Sequence, residues 1–519
     1  MASLNKFKGT WNAELAAHLF RRTTYGVTYE IIKEYGSKTL DEAINSLFQQ
    51  KTLPNPPVNV NYADDPNVPI GQTWVDKGVS QNVDGYRKTT LRAWSYELLL
   101  SGLPNIQEKM VMFWHNHFVT TDDEDPRYSY KNITLIRTRA LGNFKELTKE
   151  ITIDPAMLAY LNGNRNTKQA PNENYARELL ELFTLGKGVI AGPGDYTTYT
   201  ETDIKEIAKV LTGWRDMRGA VPVRSQFYLN DHDTTTKKLS NRFNGASISN
   251  AGIDEYNKLI DVIFLKDDVS LFLSRKFYRW FVSSQITSEI ENDIIKPMAK
   301  IFRDSNFEVA PVIKSLLESE HFYDICVRGV IVKNPIDFLL NSLGQFKVAL
   351  PTDSVQKLQV FNALFATSNN MQMAMYSAPS VAGWQAYYQE PSYYRLWLNS
   401  VSLPARKVYS DALANTGVPI GTFRLNLNAI STLNLFPDPA NADSVIKEFA
   451  LILLSKPLAS NQLLYLKTIL ASGSNDSAWT SAYNAYKAAP TDTTKLNTVV
   501  TRLRTLIVYM MRMPESHLS

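Results

Sequence analysis

Apolar residues recur at intervals of three and four along most of the chain, which is the spacing of one helix face. Residues 11–23, 86–121, 201–214 and 254–345 show this repeat most clearly. No stretch shows the sustained alternation of apolar and polar residues that a half-buried β-strand requires. The pattern therefore predicts a mainly α protein: a multi-helix globular chain with long irregular loops and little or no strand.

The helix with the clearest start and end signals lies between Pro171 and Gly188. Asn172 is a favourable N-cap, because its side-chain oxygen can accept a backbone N–H of the first turn. Gly186 and Gly188 allow the left-handed exit. One face of this helix is apolar, and the opposite arc contains Asn174, Arg177, Glu178, Glu181 and Thr184.

Glu178 and Glu181 are three residues apart on that helix, so their carboxylates face the same way. A charged arc of this kind ordinarily faces solvent, here with an Arg–Glu pair. Alternatively, it faces the histidines of the protein and forms a site for a metal ion or for acid–base chemistry.

His115 and His117 lie two residues apart in the segment MVMFWHNHF. A regular helix points such residues about 200° apart, so they can share one centre only if the helix ends there. His-x-His is a common zinc or iron spacing on a strand and a weak signal on a helix. His232 lies between two aspartates in a loop and could add a ligand, whereas His18 is expected in the core or at an interface.

Several charged segments have simpler interpretations. Arg21 and Arg22 could hold an anion, but the expectation for such a pair is the protein surface. The helix face with Arg275, Lys276 and Arg279 is expected to meet solvent or carboxylates, and DDEDP at 122–126 is expected to be a solvated acidic turn.

Composition excludes several classes of protein. The 519 residues include 55 basic and 51 acidic side chains, which is too balanced for the concentrated basic face of a nucleic-acid-binding protein. The single cysteine, Cys326, excludes an intrachain disulfide and a cysteine-rich zinc site, and its apolar neighbours predict a small core residue. No glycine-rich phosphate loop and no G-x-S-x-G motif occurs, so nucleotide binding and serine hydrolase chemistry are not indicated.

The segment MASLNKFKGTW has no apolar stretch of the kind a signal peptide needs, so we expect none. No apolar run approaches 18 residues, so we expect no membrane span and a cytoplasmic protein by default. Residues 53–83 are rich in Pro, Asn, Asp and Gly and predict a long irregular connection, with Trp74 indicating some packing. We expect a helical core over 1–345 that carries the His, Glu and Arg motifs. A C-terminal helical region over 346–519 is expected to pack on it.

Eight segments in a fixed order resemble a bacterial family known as domain of unknown function 1800. They are AAHLFRRTTYGVT, EKMVMFWHNHFVT, ALGNFKELT with DPAMLAYLNG, PNENYARELLELFTLGKG, YTETDIKEIAKVLTGW, FYLNDHD, FLSRKFYRWF and SAPSVAGW. The resemblance covers nearly the whole chain. It implies an uncharacterised protein, similar to proteins often encoded beside a sulfatase-like family, domain of unknown function 1501, some of which carry twin-arginine export signals.

The resemblance assigns the family's motif residues to three elements of this chain. These are Trp114, His115 and His117; Arg177, Glu178 and Glu181; and His232 with Asp233. Two positions depart from the family pattern, because Thr235 replaces a usual glycine and Phe183 replaces a frequent histidine. Both departures bear on the geometry of any metal site.

Two hypotheses from different classes follow. In the first, the protein is a metal-dependent hydrolase with a divalent ion, zinc or iron. The metal ligands would be His115, His117, Glu178 and His232. Glu181 would be the general base on the metal-bound water, and Arg177 would orient a carboxylate or clamp an anionic substrate.

In the second hypothesis, the protein is a non-catalytic scaffold or a partner of the sulfatase-like family. The histidines and the acidic arc would then form a buried hydrogen-bonded network that fixes the packing of the helices. Metal content separates the two hypotheses, as does the effect of Glu181→Gln on activity and on stability.

Overall fold

The computed structural model describes residues 2–100, 104–122, 125–473, 475 and 477–519. Helices account for 57% of the chain and strands for 7%, so the prediction of a mainly α protein with little strand is confirmed. In the part of the chain that the structure describes, no helix has the length and apolar character needed to cross a bilayer.

The helices of the N-terminal part are α1 (Ala13–Thr23), α2 (Tyr29–Gly36), α3 (Leu40–Leu47), α4 (Gln81–Leu100), α5 (Gln107–His117), α6 (Pro126–Arg139), α7 (Phe144–Thr152), α8 (Pro155–Tyr160), α9 (Glu173–Glu178) and α10 (Glu201–Val210). Those that follow are α11 (Glu255–Ile263), α12 (Asp267–Phe281), α13 (Ser288–Ile290), α14 (Lys296–Asp304), α15 (Val309–Leu317), α16 (Pro335–Gln345), α17 (Ser354–Asn370), α18 (Ser402–Ala414), α19 (Ala429–Leu433), α20 (Ala442–Leu453), α21 (Ser460–Leu470), α22 (Ser477–Ala488) and α23 (Thr493–Arg512).

The strands form small antiparallel pairs in the segments that connect the helices. They are β1 (Ile190–Gly192) with β2 (Asp195–Tyr196), β3 (Trp214–Met217) with β4 (Arg224–Phe227), β5 (Lys237–Lys238) with β6 (Ser247–Ile248), and β7 (Val418–Ile420) with β8 (Phe423–Leu425). In the longest pair, Trp214 lies opposite Phe227. Each sheet has two strands, so these pairs do not provide a core of their own.

Local capping chemistry explains where several helices begin. The Asn172 side chain accepts the backbone N–H of Asn174 at the start of α9, as predicted. Thr200 and Asp203 form a reciprocal capping box at the start of α10, which the spacing of a threonine and an acidic residue three positions later predicts. These caps satisfy first-turn N–H groups that have no partner inside the helix.

The Pro171–Gly188 segment differs from the regular helix that the sequence predicts. After α9 the backbone widens into a π-helical turn at Leu179–Thr184. The segment then leaves the helix through Gly186 and Gly188, which have φ values of 74° and 70° and so confirm the left-handed exit. A π-helical turn winds more widely than an α-helix, so the 100° periodicity that the sequence pattern assumes does not apply from Leu179 to Thr184.

One large hydrophobic cluster extends along the chain from Leu15 to Met513. Helix α4 packs against α17, and α1 packs against α20, so elements on both sides of residue 345 contribute to it. The irregular segment between α3 and α4 packs onto this body as well. Trp74 is fully buried and donates its indole N–H to the Thr90 hydroxyl over 2.9 Å. The division at residue 345 stays a prediction.

Predictions about charge and burial are wrong at Cys326 and in the acidic turn at 122–126. Cys326 is exposed, because it lies in a short 3-10 turn at Ile325–Val327 rather than in a core helix. In the predicted acidic turn, Asp122 and Asp125 are buried and pair with Arg92 and Arg127. The other acidic residues of that turn, at positions 123 and 124, lie outside the described residues.

Candidate functional site

The Trp-His-Asn-His segment forms the last turn of α5, so this helix does end at the predicted pair of histidines. Trp114 anchors the turn by donating its indole N–H to the carbonyl oxygen of Ala140 over 2.8 Å. Asn116 accepts the backbone N–H of Trp384 over 3.1 Å, which joins this motif to the Ala-Gly-Trp motif 268 residues away. The two histidines of the turn contact different parts of the molecule.

His115 is fully buried and faces the irregular segment after α17. Its Nε2 accepts the backbone N–H of Tyr376 over 3.0 Å. Burial lowers the pKa of His115 to about 4, so the ring is neutral near neutral pH. The lone pair of Nε2 is already engaged in this contact, and Nδ1 lies buried without a hydrogen-bond partner in the described part of the chain.

His117 faces the π-helical turn and α12. Its Nε2 donates to the carbonyl oxygen of Phe183 over 3.0 Å, which leaves Nδ1 as the acceptor for the Lys276 amine at 2.9 Å. Burial, reinforced by the nearby Lys276, holds the pKa of His117 well below its usual value. Burial and the neighbouring Arg279 lower the pKa of Lys276 to about 7.

His232 lies elsewhere, beside α11. Its Nδ1 donates to the carbonyl oxygen of Thr212 over 2.9 Å, and its Nε2 lies 3.1 Å from the Glu255 carboxylate. Lys237 forms an ion pair with the same carboxylate, and the side chains of His232, Glu255 and Lys237 are all buried. The Thr212 carbonyl oxygen and the Glu255 carboxylate both accept hydrogen bonds, so the ring lies between two acceptors.

The acidic arc of α9 is only partly buried. Arg177 forms a bidentate pair with Glu201 of α10, with both N–O distances 2.8 Å, and a longer contact of 3.4 Å with Glu173. The hydrogen bond to Glu201 is the main cause of the raised pKa of Arg177. The arginine that the sequence suggests as a substrate clamp is thus paired within the protein.

Glu178 and Glu181 follow on the same segment. The Glu181 carboxylate accepts the hydroxyl of Tyr199 over 3.0 Å and lies 3.7 Å from the Lys187 amine. Burial and the neighbouring Glu181 raise the pKa of Glu178, while Arg177 opposes the shift. The two carboxylates therefore do influence each other, as their spacing predicts.

The structure does not gather the predicted ligands His115, His117, Glu178 and His232 into one cluster, so the metal site stays a prediction. Within the described residues, no group of three or more His, Cys, Asp or Glu side chains could hold a metal ion. One nitrogen of each ring already contacts a protein group, namely Tyr376, Lys276 and Glu255, whereas Nδ1 of His115 has no such contact among the described residues. The zinc or iron centre is thus not supported, and the catalytic roles suggested for Glu181 and Arg177 stay predictions.

What the histidines share is a contact with a distant segment. His18 is buried, as predicted, and contacts the Phe322 carbonyl oxygen, 304 residues away, at 3.0 Å. His321 contacts the Tyr278 hydroxyl at 2.9 Å. Together with His115, His117 and His232, these rings connect segments that the chain order keeps apart.

Four of these histidines, His18, His115, His117 and His232, lie in the segments whose order resembles a known family. The model of a family described as "Protein of unknown function (DUF1800)" matches residues 18–517. The chain belongs to this family. Searches of the curated proteins and of the solved structures found no match to this chain.

Three partners of the histidines in this DUF1800 protein were missed by sequence reasoning. The sequence predicts that Lys276 meets solvent or a carboxylate, and this is wrong, because its amine contacts His117 and the Leu182 carbonyl oxygen. Glu255 follows His232 by 23 residues, and no local signal connects them. The main-chain contact from Tyr376 to His115 carries no residue-type signal, since any residue there has the same backbone N–H.

Proposed function

We propose that this DUF1800 protein is a non-catalytic scaffold or partner protein, whose histidines fix the packing of its helices. The observation that carries the proposal is the use of the imidazole rings as hydrogen-bonded links between distant segments. His115 and Tyr376 are 261 residues apart, and His117 and Lys276 are 159 residues apart. A buried link of this kind stabilises one arrangement of helices over others.

The identity of the partner comes from the family resemblance. Its support is that similar proteins are often encoded beside a sulfatase-like protein, domain of unknown function 1501. Co-expression of the two chains followed by size-exclusion chromatography tests this idea. We expect one co-eluting complex, and separate elution at micromolar concentrations of both chains contradicts the proposed partner.

A second candidate, a hydrolase, is favoured by the carboxylates of the π-helical turn. Glu178 has a raised pKa beside Glu181, and π-helical turns occur frequently at functional sites. Glu181 would act as a general base and the Arg177–Glu201 pair would have to open for an anionic substrate. This candidate involves no step on a metal ion.

Glu181→Gln distinguishes the two candidates, with Glu173→Gln in the same segment as the matched control. The assay measures hydrolysis of chromogenic carboxylate, phosphate and sulfate esters, and thermal unfolding is recorded in parallel. The scaffold proposal predicts that the wild-type protein does not hydrolyse the esters above the uncatalysed rate, and that both variants give this same background rate. Turnover that Glu181→Gln abolishes and Glu173→Gln preserves would support the hydrolase instead.

A further inference from the structure

A small cavity of about 30 Å³ lies where α1, α5, α12 and α16 meet. Four of the side chains that line it are cationic: Arg21, Arg22, Lys109 and Arg279. Asp337 is the one carboxylate side chain in the lining. This excess of positive charge is independent of the histidine links and of the acidic arc.

The arginine pair of α1 is buried, so the prediction of a surface pair is wrong. Arg21 and Arg22 are 3% and 4% exposed. Arg21 donates to the carbonyl oxygen of Leu451 over 3.0 Å, and Arg22 donates to that of Val327 over 2.8 Å. Neutral carbonyl groups satisfy these N–H donors without supplying a balancing negative charge. The Nε atoms of both arginines are buried and have no partner among the described residues.

The only carboxylate side chain of the lining is already engaged. Asp337 pairs with Lys109 and also accepts the Asn334 amide over 2.9 Å. Within the described residues, no Asp or Glu carboxylate lies within 4.0 Å of the cationic nitrogens of Arg21, Arg22 or Arg279. Ser519, the last residue of the sequence, also lines the cavity. The single acid thus balances one cation of four.

Two further cations lie next to this group. Lys333 is 4% exposed and Arg406 is fully buried. The Lys333 amine donates to the carbonyl oxygen of Ser516 over 2.7 Å, and Arg406 donates to the carbonyl oxygen of Lys333 over 2.7 Å. Burial lowers the pKa of Lys333 to about 7 and that of Arg406 to about 9, and it lowers the pKa of Arg22 to about 9. Buried charges are normally paired, because removing an ion from water is costly.

We propose that this cavity binds a small oxyanion, which supplies the negative charge that the surrounding side chains lack. A cavity needs about 10–15 Å³ to hold one water molecule, so this one has room for a group of roughly two waters in size. That is suitable for a carboxylate, sulfate or phosphate group and too small for a nucleotide. The planar guanidinium fork of arginine can bind two oxygens of such a group at once.

The outer wall of the cavity determines how the anion could arrive. Arg279, Trp280, Tyr387 and Tyr394 line it and are partly exposed, whereas Arg21 and Arg22 are buried. The anion is therefore expected to enter past α12, either as a free ion or as the terminal group of a larger ligand. This inference goes beyond the proposed function and holds for a scaffold and for a hydrolase.

The test is thermal unfolding of the full chain in sulfate, inorganic phosphate or acetate, with ionic strength held constant by chloride. Specific binding raises Tm along a curve that follows the occupancy of one site. General salt effects on the protein surface rise without such a half-saturation point. We expect at least one of the three anions to give a saturable rise.

Arg279→Gln identifies the site, because this partly exposed residue can be replaced with less risk to folding than Arg21 or Arg22. Arg275→Gln is the matched control, since Arg275 lies one turn earlier on α12 and pairs with Glu291 at 2.5 Å. We expect Arg279→Gln to raise the half-saturating concentration at least tenfold and Arg275→Gln to leave it within twofold. The proposal is overturned if no anion gives a saturable rise, or if both variants respond alike. If sulfate or phosphate gives a saturable rise in Tm, the ligand is a free inorganic ion. If acetate alone gives one, the ligand carries a carboxylate group.

Discussion

The amine of Lys276 donates a hydrogen bond to Nδ1 of His117 over 2.9 Å, which links α12 to the last turn of α5. The other nitrogen of the same ring donates to the Phe183 carbonyl oxygen in the π-helical turn. One imidazole thus joins three segments that the family model also spans. Because the ring is hydrogen-bonded to two of these segments, we expect its loss to lower the stability of the folded protein.

Replacing His117 by alanine should reduce the free energy of unfolding by about 3 kcal/mol. The substitution removes the donor to the Phe183 carbonyl oxygen and one acceptor of the Lys276 amine, which keeps its hydrogen bond to the Leu182 carbonyl oxygen. A lost buried hydrogen-bond partner costs roughly 1–3 kcal/mol, and the lost packing of the ring adds to this. Urea unfolding followed by circular dichroism measures the change. Asn174→Ala, at an exposed position of α9, is the control and should change stability by less than about 0.5 kcal/mol. Equal stability of His117→Ala and the control would contradict a structural role for the ring.

Acid should destabilise the protein as the pH falls below about 6.5, the ordinary pKa of histidine. The pKa of His115 is about 4 in the folded protein, and that of His117 is also well below its usual value. The unfolded chain therefore binds more protons between pH 6.5 and 4, and stability is lost across that range. Each ring contributes up to about 1.4 kcal/mol per pH unit.

The measurement for this prediction is urea unfolding at a series of pH values between 4 and 7. His115→Gln should make the dependence on pH shallower than in the wild-type protein, because it removes one titrating ring. A wild-type stability that stays constant from pH 6.5 to pH 4.5 would show that the rings do not remain neutral.

Stability should also rise between about pH 7 and pH 9. The pKa of Lys276 is lowered to about 7 in the folded protein, whereas an unfolded lysine keeps its proton to about pH 10. The unfolded state therefore binds more protons in this range, and raising the pH favours the folded state. Lys333, with a pKa also lowered to about 7, acts in the same direction.

Lys276→Met tests this contribution, because it keeps much of the side-chain volume and removes the amine. Its stability should increase less steeply between pH 7 and pH 9 than that of the wild-type protein. An identical slope in the two proteins would mean that Lys276 titrates near its ordinary value when folded.

Glu255→Gln should lower stability by about 3–5 kcal/mol, because it removes the charge that holds buried Lys237 and His232. Lys237→Met in the same chain should restore part of the loss, since the double variant leaves no lysine charge to compensate. Chemical unfolding of the single and double variants measures the coupling.

The control for that pair is Glu146→Gln. Glu146 lies in an exposed pair with Lys149, at 3.2 Å, and such pairs contribute about 0–1 kcal/mol. A loss at Glu255 no larger than at Glu146 would contradict the importance of the buried pair.

The features that the sequence did predict depend on neighbouring residues. The caps of α9 and α10 involve contacts over two or three residues, and the glycine exit after the π-helical turn depends on single positions. The class of the fold follows from helical periodicity, which is likewise local. These signals do not depend on how the helices pack.

The candidate site was harder to predict because its partners are remote. The contact of His115 with Tyr376 joins residues 261 positions apart, and it uses a backbone N–H that every residue but proline has. The burial of Arg21 and Arg22 depends on carbonyl groups of Leu451 and Val327, which only tertiary packing brings close. Residue types alone identify histidines and arginines as candidates without fixing what they contact.

The central proposal is that the histidines act as hydrogen-bonded links between helices and not as metal ligands. Metal analysis of the purified protein by mass spectrometry, after dialysis without chelator, tests it most directly, with His117→Gln and His232→Gln measured beside the wild type. The account predicts no stoichiometric zinc or iron in any of the three. One ion per wild-type chain that both substitutions remove would contradict it.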